Sequence, residues 1–181
     1  MGFGLGARGQ RAQLNAAAAA LISAIPVVTL AVSNVAGKRA FSGLVLETGF
    51  KTPLPLGGLI LGRVEGMTDG KVETSSLVIQ EKVTKTANFN SASVNNAASS
   101  SNGGVGFLHV FAANGTANVV IQESSDDGLV DPFATKLTFA QFSGVSSQRV
   151  AVTGTVEQYL RAALTPGTAT SVTYAITFAR L

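Results

Sequence analysis

From Val105 to Leu181 the chain runs as short extended stretches divided by turn signals, and this cadence constrains the fold more than any other feature. Val105–Ala112 alternates, with Phe107, His109 and Phe111 on one face and Leu108 and Val110 on the other. Ala117–Glu123 carries Val119 and Ile121 on one face, and Lys136–Phe142, Gln148–Thr153, Gln158–Leu164 and Ser171–Ala179 read as further strands. Successive side chains of a strand point to opposite faces, so alternation is what a half-buried strand requires. The connections carry turn chemistry. Asn114-Gly115 suits a type I′ hairpin, Ser124–Gly128 is an acidic turn, and Thr165-Pro166-Gly167-Thr168 places Pro and Gly as a β-turn wants them. Turns roughly every 8–12 residues predict a sandwich or jelly roll.

The first half reads differently. Residues 12–24 predict the one helix: alanine is the best helix former, and Leu14, Leu21 and Ile22 share a face with the alanines. Pro26 ends it by disfavouring helical geometry at Ile25. A lone helix of this length is marginal in water, so it needs a sheet to pack on. Strands are expected at Val27–Val32, at Arg39–Thr48 with Phe41, Leu44 and Leu46, at Leu59–Glu65, and at Val72–Thr86. Gly37 and the Asp69-Gly70 pair mark turns. Residues 87–104 are rich in Asn and Ser, whose side chains compete with regular ladders, and they read as a linker or a long loop. Residues 1–11 form a glycine-rich arm with Arg8 and Arg11, expected to order only against a neighbour.

Charge narrows the class. Charged residues make up 13% of the chain and hydrophobic ones 46%, whereas about 25% charged is usual for a soluble domain. Such a chain buries surface against partners or enters a membrane. A spanning helix needs about 18–20 consecutive apolar residues, and the best stretch, Ala16–Val32, is broken by Ser23, Pro26 and Thr29. A secretory leader is not expected either, because the segment behind Arg8 and Arg11 is mostly weakly hydrophobic alanine. There is no cysteine, which excludes disulfides and thiolate metal sites. The net charge of +3 includes no Lys/Arg run, so a nucleic-acid patch is poorly supported.

Catalytic constellations are sparse. His109 is the single histidine and sits mid-strand, with no nucleophile elbow in the chain to serve it. Glu123, Asp126, Asp127 and Asp131 are the densest acidic cluster, but they lack the ligand spacing of a calcium loop and read as a solvated turn. Gly-Phe-Gly-Leu-Gly at 2–6 follows no strand, as a phosphate-binding fingerprint must. No catalytic residue, metal or cofactor is expected. What remains is assembly: strands have edges, exposed edges pair with other chains, and closed symmetry removes them.

Two stretches carry a family resemblance. Residues 37–66, with Phe41-Ser42-Gly43 in a strand, Pro53 and Pro55 in a loop and Leu59–Glu65 beyond, resemble the core of tail tube proteins of long-tailed bacteriophages. The helix at 12–24 is similar to the helix packed on that tube sandwich. Residues 101–181, through Asn102-Gly103-Gly104, Val119–Asp127, Ser147-Gln148-Arg149-Val150 and Gln158-Tyr159-Leu160-Arg161, resemble a domain appended to such proteins and also carbohydrate-binding jelly rolls of the discoidin type. The tryptophan common in those lectin-like domains is missing here.

The resemblance implies a mainly β protein. An N-terminal β-sandwich or barrel-like tube domain with one α-helix spans 1–86, a linker or long loop spans 87–104, and an outward-facing C-terminal β-sandwich spans 105–181. It implies hexameric rings stacked around a channel in the tail of a virion, in contact with other virion proteins. DNA would pass through without specific contact, and no membrane is involved. Assembly is expected to rest on Phe3, Leu5, Arg8 and Arg11 of the arm and on Phe41, Leu44, Leu46, Leu59 and Leu61 of the strands. The alternatives are a capsid decoration or other minor virion protein, and a carbohydrate-binding module.

Overall fold

The computed structural model describes residues 27–31, 35–51, 63–68 and 72–181. The helix expected at 12–24 lies outside them. The described residues are β throughout. The strands are β1 (Val27–Ala31), β2 (Arg39–Lys51), β3 (Arg63–Thr68), β4 (Glu73–Lys85), β5 (Phe89–Asn90), β6 (Val94–Asn95), β7 (Gly104–Ala113), β8 (Ala117–Ser124), β9 (Ala134–Thr138), β10 (Ser146–Val152), β11 (Tyr159–Pro166) and β12 (Val172–Arg180).

The chain divides into two compact units, Met1–Val28 with Gly43–Lys71, and Thr29–Ser42 with Val72–Leu181. In the first, the later part of β2 pairs antiparallel with β3, from Val45 opposite Thr68 to Lys51 opposite Arg63. The second is a two-sheet sandwich. One sheet runs β4-β12-β7-β10, extended beyond β4 by β2 and then β1, and the other runs β5-β11-β8-β9 with β6 also paired to β11. The chain crosses between sheets at every connection from β4 onward except those within β5–β6 and β8–β9. This is the strand order of an eight-stranded jelly roll, with β5 and β6 together filling one place.

Burial explains the order. β8 buries alternate residues Ala117, Val119 and Ile121, and these meet Leu108 and Val110 of β7 with Tyr174, Ile176 and Phe178 of β12 in one core cluster. Each such fully buried aliphatic or aromatic side chain contributes roughly 1.5–3 kcal/mol. Two glycines of β7 make room for rings: a Cβ on Gly104 would lie 2.3 Å from Cζ of Phe178, and one on Gly106 would lie 2.8 Å from Leu137 and 3.1 Å from Phe139. Phe107 and Leu108, on opposite faces of β7, are both fully buried.

Three expectations meet a different structure. Asn114-Gly115 does not close a hairpin, because β7 and β8 lie in different sheets and neither residue adopts the positive φ of a type I′ turn. Asn114 instead holds the β11–β12 crossing beside it. Its Oδ1 accepts from the backbone N–H of Thr170 at 2.9 Å and of Ser171 at 3.0 Å. Thr116 and Thr168 clasp reciprocally, each hydroxyl accepting from the other's backbone N–H at 2.9 and 3.0 Å. Second, residues 87–104 carry β5 and β6, paired to β11 through Asn90–Ala163 and Val94–Leu160. Ser91 completes that ladder: its N–H donates to Ala162 O at 2.8 Å, and its hydroxyl accepts from Ala162 N–H at 2.9 Å. Third, β4 is a strand of the jelly roll, so the sandwich begins before residue 86 rather than at 105.

Candidate functional site

Of the residues expected to drive assembly, Phe3, Leu5, Arg8, Arg11, Leu59 and Leu61 lie outside the described residues. Leu46 is described in its backbone alone, opposite Met67. Phe41 is exposed at 44%, while its neighbours Ala40 and Ser42 are fully buried, as alternation on β2 requires. Leu44 is half-buried.

His109 has a structural place. Its Nε2 meets the Thr29 hydroxyl at 2.8 Å, Thr29 meets Ser42 at 3.0 Å, and Ser42 meets Thr177 at 2.9 Å. This hydroxyl string ties β1 and β2 to β7 and β12. Desolvation lowers the His109 pKa, which favours the neutral ring. Among the described residues no carboxylate joins the string.

The acidic turn between β8 and β9 is a built loop. The Asp126 carboxylate accepts from the backbone N–H of Leu129 at 3.1 Å, Val130 at 2.7 Å and Asp131 at 3.1 Å. Ser124 Oγ accepts from Gly128 N–H and donates to Asp131 O, both at 2.8 Å. Asp127 and Gly128 sit at φ of 65° and 79°, which turns the chain outward. Desolvation pushes the Asp126 carboxyl up, but the bonds from Val130, Asp131, Ser124 and Leu129 outweigh it and hold it below the usual carboxylate range. The carboxylate therefore serves the loop. Among the described residues no group of three or more His, Cys, Asp or Glu is placed to hold a metal ion. The loop's tip is apolar: Leu129 is 85% and Val130 88% exposed. Sequence reading passed over this Leu-Val pair, although an apolar pair inside an acidic turn was its signal.

At one end of the sandwich, a cavity of about 330 Å³ opens between the sheets. Leu77, Ile79, Val94, Leu160 and Phe178 form its apolar floor, and Arg39 and Arg180 bring positive charge to its rim. Arg180 donates to the carbonyls of Val156 at 2.6 Å, Glu157 and Gln158, which fixes its guanidinium, while its Nε is buried without a hydrogen-bond partner among the described residues. Desolvation lowers the Arg180 pKa, partly offset by the charges of Glu123 and Glu157. Neither arginine was singled out by sequence, because β2 and β12 reach the same cavity only by pairing on either side of β4.

Aromatic rings are mostly engaged. Arg161 stacks over Phe133 at 4.0 Å and Lys85 over Phe89 at 3.7 Å. Tyr159 lies half-buried in the ladder opposite Asn95 and Ser124, and its hydroxyl accepts from Asn95 Nδ2 at 3.3 Å. Phe41 and Phe111 are the exposed aromatics among the described residues, and the Lys82 ammonium sits over the Phe111 ring at 4.6 Å.

No protein-family model matches the chain, and no curated protein matches it. Among solved structures it is similar to a chain in the structure of infectious bursal disease virus Gx strain, at 12% identity with a TM-score of 0.25. That match covers 85% of this chain and 50% of the other, so the chain spans about half that protein's length. Among the described residues, no helix is long and apolar enough to cross a membrane.

Proposed function

We propose that this protein is a structural subunit of a virion that works by assembling with copies of itself. The observation that carries the reading is the eight-stranded jelly-roll order, β4-β12-β7-β10 over β5/β6-β11-β8-β9. Jelly rolls occur as viral shell units, as lectins and as cupins. Fold alone does not choose between these, so the surface must. A glycan site calls for an open aromatic face. Here Phe133, Phe89 and Phe111 carry stacked cations, Tyr159 is tied into the ladder, and Phe41 is a single exposed ring. The low charge and the unpaired outer edge of β10, which bonds β7 on one side alone among the described residues, favour association instead.

Position in the virion follows a finer argument. The resemblance of residues 37–66 and 101–181 to tail tube proteins supports a ring-forming tail subunit, hexameric, with DNA passing through. The jelly roll supports a shell or decoration subunit on the capsid surface. Negative-stain electron microscopy of the purified chain separates them. Hollow tubes or stacked rings support the tail, closed shells or discrete small oligomers the capsid, and glycan binding by a monomer would replace both.

A further inference from the structure

We propose that the apolar tip of the β8–β9 loop, Leu129-Val130, docks in the arginine-rimmed cavity of a second copy of this chain. The inference rests on the self-assembly reading above and names the contact that performs it.

Single exposed apolar residues are ordinary on a protein surface. Two adjacent ones held outward by a fixed loop are not, because a mobile loop would fold them away. Here Asp126 and Ser124 bond the backbone on both sides of the tip, and two left-handed residues set its direction. The tip is thus organised before it meets anything, which lowers the ordering cost of docking.

The cavity has a mixed lining. Its aliphatic and aromatic half can receive Leu and Val, its other half is polar, with Thr74, Ser75 and Asn96 beside the two arginines, and about 330 Å³ lies at the small end of the range for binding pockets. The charges are complementary at Arg39: Asp127 and Asp131 flank the tip and Arg39 stands exposed at the cavity, while Arg180 already has the charges of Glu123 and Glu157 near it. Asp131 keeps one oxygen on Ser125 N–H, while Asp127 is exposed at the turn.

The contact is between molecules. Ser124, where the loop begins, pairs with Tyr159, next to cavity-lining Leu160, so loop and cavity share one end of the sandwich. Yet Leu129 and Val130 are almost wholly exposed, so the chain does not fill its own cavity. Copies meeting at this end each offer a tip and a hole.

The chain's lack of cysteine makes the test clean. Chains carrying Ser75→Cys, on the cavity wall, are mixed with chains carrying Val130→Cys and oxidised. The mass of the wild-type chain is measured in parallel, as is that of a Leu129→Ser/Val130→Ser variant checked for an unchanged melting temperature. The expected result is a disulfide-linked heterodimer formed well above either chain alone, and at least a tenfold weaker association of the double serine variant. Wild-type chains that assemble, with no cross-link and an unweakened variant, would overturn the docking contact and leave the assembly reading standing. Wild-type chains that stay monomeric at every concentration would overturn both.

Discussion

Tyr174 should be a residue whose polar atom costs the fold. Its ring is fully buried in the core of the sandwich, and its hydroxyl has no hydrogen-bond partner among the described residues. Burial raises its pKa strongly, which fits a hydroxyl denied water. A buried donor left unsatisfied costs about 1–3 kcal/mol. Tyr174→Phe removes that cost while keeping the ring. The void left by one oxygen is on the order of 10–15 Å³, and at about 24 cal/mol per Å³ it returns about 0.3 kcal/mol. The variant should therefore be more stable by about 0.7–2.7 kcal/mol, and each kcal/mol raises Tm by about 2–4 °C in a domain of this size. Urea unfolding at matched protein concentration checks it, since association adds its own stability. The midpoint should rise with an unchanged slope. A variant less stable by about 1 kcal/mol or more would refute the reasoning, because it would mean the hydroxyl is bonded after all.

Other positions follow from the same geometry. Gly103 sits at φ +76°, and a Cβ there would lie 2.0 Å from Val152 O, so Gly103→Ala should cost about 3 kcal/mol in a thermal melt. Asn114→Ala removes the acceptor for two backbone N–H groups on the β11–β12 crossing and should cost about 1 kcal/mol by urea unfolding. His109 has a folded pKa below its ordinary 6.5, so the unfolded chain takes the proton first. Stability should be full above pH 6.5 and fall as pH drops through that value toward the folded pKa. Tm measured at pH 7.5 and 5 should fall in the wild type and fall less in His109→Asn.

Much of the jelly roll was legible in the chain. The apolar run Val105–Ala112 and the alternation in Ala117–Glu123 place β7 and β8 within a residue or two; period two survives in β8, where one face is buried, whereas β7 buries residues on both faces. Alternation says which side chains point inward but not which strand is the neighbour. That is why Asn114-Gly115 read as a hairpin when it begins a crossing between sheets. Residues 87–104 were obscured for a different reason. Their pairing with β11 is supplied partly by Ser91 bonding both backbone groups of Ala162, so polar residues stand where a strand pattern expects apolar ones. The Leu129-Val130 tip is held by local bonds from Asp126 and Ser124, and an apolar pair inside an acidic turn was its signal, whereas the Arg39–Arg180 cavity is formed by contacts distant in sequence that no local spacing announces.

The central claim is self-association. Mass in solution across a wide range of concentration, with electron microscopy of the same samples, tests it most directly. The account predicts discrete oligomers that grow with concentration into rings, tubes or shells; a monomer at every concentration would contradict it.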